Sequence, residues 1–316
     1  MLRKSLSILL AILIGFGPEL AQAQQFALSQ LPAPGAQVGL SSAFEPVLVK
    51  GVVIFPQEPL KFRFIVDSGN DKVDNARIKE ESERMVKYFL AAVTVPEKDQ
   101  WVNLSPVEHD RMIADSLGGT DLGRDMLAQD YVLKQFTASM LNPDSGAGKE
   151  FWTRVYVEAQ AKFGTTDVPV DAFNKVWIMP DSAEVFEHGN AVFVTKAHLK
   201  VMLDADWQIQ QKGVIPSEAV IPSAAVIPSV SEGSQTSEMP RPEGARHDED
   251  TQVLAKNIMR EVVLPASERE VNTGANFSTV RQIYYAGILA RWYRDAIKNS
   301  LMGSAYMDKG KTKGVD

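Results

Sequence analysis

The run "DSGNDKVD" places Asp67, Asp71 and Asp74 within eight residues, directly after a β-branched and aromatic stretch. Carboxylates so spaced in a loop are the chemistry of calcium binding, because that hard cation takes roughly six to eight oxygen ligands. An EF-hand would need glycine where Lys72 stands and glutamate where Ile78 stands. The run therefore reads as a turn into a helix whose acids favour the positive N-terminal end. A second stretch, "NPDSGAGKEFW", has the glycines and lysine of a phosphate-cradling loop. It has Pro143 in place of the first glycine, and Glu150 follows Lys149 where a magnesium-binding hydroxyl is required. This stretch reads as a loop that starts a helix.

The four histidines, His109, His188, His198 and His247, show no metal-ligand spacing. His188 and His198 fall in neighbouring predicted strands, where they could meet across a sheet. With no cysteine, no GxSxG elbow and no SxxK pair, the common nucleophilic hydrolases lack their sequence mark. A hydrolase using a carboxylate pair needs only two acids near in space, and it stays open as the alternative class. Arg124, Asp125, Gln129, Asp130 and Tyr131 put polar groups on an otherwise apolar helix. They would form either a site or, the preferred reading, hydrogen bonds that fix the helix. The catalytic residues are thus unknown, and no metal and no cofactor is expected.

The elements that would position these groups begin after residue 45. "PVLVKGVVIF" and "LKFRFIVD" read as strands, and in the second Phe62, Phe64 and Val66 alternate with Lys61, Arg63 and Ile65. From Asp71 to Pro96 the period becomes helical, with Ile78, Ser82, Met85, Val86, Phe89, Leu90 and Val93 on one face. A helix follows over 121–141 with Leu122, Met126, Leu133, Phe136 and Met140 inward. Another, over 148–163, has Trp152, Val155, Tyr156, Ala159 and Phe163 on a stripe. The strings "NKVWIMP", "AEVFEH", "AVFVT" and "HLKVMLDADW" then predict an antiparallel meander, with turns at Pro180-Asp181-Ser182 and Gly189-Asn190. Strands, then helices, then strands give an α+β fold: an antiparallel sheet packed against several helices.

From Gln208 to Asn276 no aromatic residue occurs, and "VIPS" appears three times at a six-residue spacing. Three proline-bearing copies are too few for a β-helix. Residues 208–250 therefore read as a disordered linker, and the "VIPSEA" string resembles peptides read through from dispersed bacterial DNA repeats. Beyond it, residues 251–302 predict helices. Leu254, Ile258 and Val262 stand at four-residue steps before Pro265. A long helix from Ser278 is apolar on two sides, with Val280, Ile283, Tyr284, Ile288 and Trp292 on one and Tyr285, Leu289 and Ala296 on the other. Such a helix is buried between partners, so these C-terminal helices should complete the core lobe of residues 46–207. Residues 303–316 read as a frayed tail.

"YFLAAVTVPEKDQWVNLSP", "GRDMLAQDYVLKQFTASMLNP", "GKEFW", "FNKVWIMPD" and "HLKVML" resemble a family of exported bacterial proteins to which no activity is attached. The resemblance covers residues 46–207 and about 251–307, skips the repeat, and implies domain limits without a mechanism.

The chain begins with Arg3 and Lys4, an apolar run from Ile8 to Phe16, and Ala21-Gln22-Ala23, the grammar of a secretory signal over residues 1–23. Residues 24–45, with Pro32, Pro34 and Gly35, read as an extended leader. The apolar run is broken by Gly15, Gly17 and Pro18, short of the roughly 20 residues of a membrane span, so no stable membrane insertion is expected after cleavage. Removing the signal takes away Arg3, Lys4 and Glu19 and moves the net charge of −7 to −8. An acidic chain is a poor partner for nucleic acid and gains solubility. The expected function is an exported, periplasmic or secreted protein with a binding or envelope-associated structural role toward an unknown protein or small molecule. Mass spectrometry of the exported protein should find Gln24 as the first residue; an intact Met1 in a membrane pellet would refute the signal reading.

Overall fold

The computed structural model describes residues 31–55, 57–58, 61–69, 74–105, 108, 110–166, 175–212 and 243–297. The signal segment, the VIPS repeat and the C-terminal tail lie outside the described residues. The described chain runs β1 (Leu48–Ile54), β2 (Phe62–Asp67), α1 (Asn75–Thr94), α2 (Asp115–Gly118), α3 (Asp121–Leu141), α4 (Gly146–Phe163), β3 (Val176–His188), β4 (Ala191–Leu203), α5 (Asp204–Lys212), α6 (Glu243–Thr273) and α7 (Ser278–Ile297). Four antiparallel strands in the order β2-β1-β4-β3 form one sheet. The fold is α+β, and its C-terminal helices complete the core.

Local chemistry starts α1, α3 and α4. The carboxylate of Asp74 accepts from Arg77 N at 2.8 Å to begin α1, the Thr120 hydroxyl accepts from Gly123 N to begin α3, and the Ser145 hydroxyl accepts from Gly148 N to begin α4. Each satisfies an otherwise orphaned donor of the first turn. The buried face of α1 differs from the expected one: Tyr88 is fully buried and Leu90 is exposed. Tyr88 takes the inward place because its hydroxyl donates to Asp125 on α3, which supplies the partner a buried phenol needs. On α4, Phe151 is buried, while Tyr156 points outward.

The expected meander of short strands is instead one long hairpin. At Pro180 the chain bulges rather than turns: Pro180 pairs with Leu199 and Ser182 with His198, leaving Asp181 as the extra residue. Proline is tolerated there because β3 lies at the edge of the sheet, where an absent N–H breaks no ladder on the open side. "DADW", read as strand, is the first turn of α5, anchored where Trp177 Nε1 donates to Asp204 at 2.8 Å. Residues 208–212 and 243–250, expected as linker, are helical: α5 extends to Lys212 and α6 starts at Glu243. Pro265 does not end α6. It sits on the solvent side, while Val263, Leu264, Ser267, Glu270 and Val271 around it are buried, and that packing overrides the loss of one helical hydrogen bond.

Helix α7 packs against α1, α3, α6, β1 and β4, and Tyr284, Tyr285, Ile288, Leu289 and Tyr293 are all buried. Its two apolar faces are explained by this central place. Residues 31–45, expected as a leader ahead of the fold, are bound to it as a strap. Tyr131 donates to Pro32 O at 2.9 Å, Ser139 accepts from Val38 N at 2.8 Å, and Phe44 N donates to Thr273 O at 2.8 Å. Where the strap crosses the α6–α7 corner, Arg281 is 8% exposed and donates to the carbonyls of Val271, Gly274 and Phe44. Burial pushes its pKa down to about 10, so the guanidinium is still charged at neutral pH. Glu270, 2% exposed, accepts from Ser41 N, Ser41 Oγ and Asn276 Nδ2. Arg281→Met leaves three carbonyls without their donor and Glu270 without nearby positive charge, so it should cost about 3–5 kcal/mol. Denaturant midpoints and proteolysis of the strap check this; an unchanged midpoint with a protected strap would overturn the assignment.

Candidate functional site

The groups singled out in the sequence take separate structural tasks. Asp67 accepts from Lys50 Nζ at 2.5 Å and from Gly69 N at 2.9 Å, while Asp74 caps α1; Asp71 lies outside the described residues. No group of three or more His, Asp or Glu side chains among the described residues could hold a metal ion. His188 pairs with Ala191 and His198 with Ser182, six positions away along β3, so these two histidines do not meet. His198 stands 3.0 Å from Asp181 Oδ2 through Nδ1 and 3.6 Å from Glu268 Oε1 through Nε2. His109 and the side chain of His247 lie outside the described residues. "NPDSGAGKEFW" folds as a turn, with Asn142 accepting from Asp144 N, followed by the Ser145 cap of α4.

The polar strip of α3 holds other segments in place. Arg124 pairs with Asp121, Asp125 accepts from Tyr88, and Tyr131 reaches the strap. Asp130 is 9% exposed and accepts from Leu104 N at 2.8 Å and from Lys134 Nζ at 2.5 Å. Gln129 Oε1 is buried with no partner among the described residues. Among the described residues, three carboxylates carry a displaced pKa, and all three are held below their ordinary value by a cation: Asp67 by Lys50, Glu108 by Lys175 and Asp206 by Arg260. A general acid requires the opposite displacement.

One surface does bring unexplained residues together. Partners across antiparallel strands share a face of the sheet, so the register defines rows. Val52 and Val192 pair and are buried under the helices, so their neighbours Gly51 and Phe193, which also pair, face outward. Gly51 pairs further with Ile65, and Phe193 with Phe186. The outward row is therefore Ile65–Gly51–Phe193–Phe186, spanning all four strands. Ile65 is 39% exposed and Phe186 62%. Glycine is required in this row: a Cβ at Gly51 would lie 2.8 Å from Val192 O, 3.0 Å from Ile65 Cδ1 and 3.2 Å from Phe193. The two apolar side chains thus close over its bare backbone. Beside this row, β3 is exposed at every position from Asp181 to His188 and has β4 as its partner.

An exposed antiparallel sheet face is ordinarily polar, whereas contiguous apolar area on a surface marks an interaction site. The sequence contained one sign of this arrangement, since Ile65 falls in the outward phase with Lys61 and Arg63. The row itself depends on strand order and register, which local patterns do not carry. No family model, curated protein or solved structure matches the chain. Phe186→Asp should change stability by no more than about 0.5 kcal/mol, as an exposed site does. Val194→Asp, at a position that is 0% exposed, should cost about 3–5 kcal/mol by burying an unpaired charge. Urea midpoints check the contrast, and comparable losses would show that Phe186 belongs to the core.

Proposed function

We propose that the chain is an exported protein with a binding or envelope-associated structural role, and that it engages a partner protein through the outer face of its sheet. The observation that carries this reading is the apolar row Ile65–Gly51–Phe193–Phe186, laid across four hydrogen-bonded strands and open to solvent at both ends. A sheet is a rigid platform, so burying this row against a partner removes apolar area at little cost in conformational entropy. The exposed outer half of β3 adds unpaired backbone donors and acceptors, to which an extended segment can add as a strand.

Other features support the reading. No helix among the described residues is long and apolar enough to cross a membrane. The displaced carboxylates are tied to cations, which favours binding over carboxylate-based hydrolysis. The signal grammar and the resemblance to exported proteins support the compartment.

A photoreactive benzophenone side chain placed at Phe186, in cells that export the protein, should give a cross-linked adduct of one discrete mass. Ile65→Asp should diminish it several-fold, and the same probe at Lys79, exposed on α1, should not give it. The absence of an adduct at Phe186, or identical adducts at both positions, would overturn the reading.

A further inference from the structure

Val185 and Phe186 stand next to each other in the outer half of β3 and are 44% and 62% exposed. Consecutive residues of a strand point to opposite faces of the sheet. Phe186 belongs to the outward row, whereas Val185 pairs with the buried Val194 and so faces the side on which the helices lie. Val185 is open to solvent because β3 pairs only with β4 among the described residues, so its other flank lacks a neighbouring strand. The charges are divided in the same way. Glu184, two residues before Phe186, shares the outward face, and Glu187, two residues after Val185, shares the other; both are exposed. From Asp181 to His188 the strand carries three carboxylates and no lysine or arginine. Across the ladder Lys196 meets Glu184 at 3.2 Å, and both side chains are largely exposed, where such a pair contributes little.

We infer that the open flank of β3 takes an extended segment of a partner protein in which two cationic residues enclose two apolar ones. This rests on the reading of the sheet surface as a partner site. A body resting on the outward face covers Phe186 alone. A strand laid along β3 carries side chains on both faces and covers Phe186 and Val185 together, while its backbone takes up the N–H and C=O groups of the flank. Opposite Glu184, Val185, Phe186 and Glu187 the added strand needs, in order, a cation, two apolar residues and a cation. That pattern reads the same in both directions, so it serves a parallel or an antiparallel strand. Pairs of opposite charge and pairs of apolar side chains are the favourable ones across a ladder, and like charges are unfavourable. A second copy of β3 does not meet the requirement, because it brings further carboxylates to Glu184 and Glu187. Charge on an open edge is a means by which proteins avoid pairing with themselves.

The probe is an acetylated and amidated peptide, Ser-Thr-Lys-Val-Ile-Lys-Thr-Ser, titrated into the purified exported protein at fixed ionic strength while backbone amide resonances are followed by NMR. The amides from Ala183 to His188 should shift to saturation and exchange more slowly with deuterium. The peptide with both lysines replaced by glutamate should bind about tenfold more weakly. Glu184→Lys combined with Glu187→Lys, at two exposed positions where the fold should hold, should reverse that preference. Of two peptides N-methylated at the valine or at the isoleucine, one should lose several-fold in affinity, because alternate N–H groups of an added strand point at β3. Equal binding of the lysine and glutamate peptides, or no saturable shift up to about 1 mM peptide, would overturn the inference. So would a dimer in sedimentation that the paired lysine substitutions abolish, since a second copy would then be the occupant. If such a result comes with an intact Phe186 adduct in cells, the partner site on the sheet stands and only the added strand falls; loss of the adduct as well removes both.

Discussion

The buried guanidinium of Arg281 is the constraint around which the rest of the molecule is arranged. A charge this deeply buried is tolerable only when its donors are used, and the three carbonyls that use them come from the end of α6, the corner after it and the strap. The corner is shaped to match. A Cβ at Gly274 would collide with the carboxylate of Glu270, so only glycine lets that acid turn back toward Ser41 and Asn276. Ser41 Oγ in turn accepts from Ala275 N at 2.6 Å while donating to Glu270. The strap is thereby bonded to both sides of the corner, and α7 leaves it already aimed through the centre of the core.

With α7 fixed there, the described helices cover one face of the sheet and, among the described residues, leave Ile65 and Phe186 exposed on the other. The long β3–β4 hairpin accentuates this division. Two bulges, at Asp181 on β3 and at Thr195 on β4, each shift the alternation of side chains. They bend a hairpin of two 13-residue strands whose base packs under the helices while its outer half projects beyond them. Phe186 is exposed because it lies past the reach of the core, and Phe193 is half-buried because it leans over Gly51. The apolar row is thus a geometric result of where the helices stop.

What the sequence made legible is the part set by local chemistry. The turn at Asp74 into α1, the inward faces of α3 and α7, and the strand character of Leu48–Ile54 and Phe62–Asp67 all follow from patterns within one or two turns of chain. What it hid depends on distant partners. Tyr88 reads as less apolar than Leu90 until Asp125, 37 residues away, accepts its hydrogen bond. Pro180 and Pro265 read as breaks, yet an edge position spares the first and packing on the far side of α6 spares the second. Residues 31–45 have no periodicity because their order comes from Ser139, Glu270 and Thr273, more than 100 and 200 residues along the chain. The candidate surface was hidden for the same reason, since four residues from four strands become neighbours only through register.

The strap is also tied to the start of the sheet. Arg281 and Gln282 are consecutive on α7, and they grip the chain three residues apart, at Phe44 O in the strap and at Val47 O just ahead of β1. The first bond belongs to the buried knot, and the second ties the entry of the sheet to α1, because the same Gln282 Nε2 also donates to Glu81 at 2.9 Å. Neighbouring side chains of one rigid helix therefore set the strap, the first strand and α1 relative to one another, and a change at either residue disturbs all three.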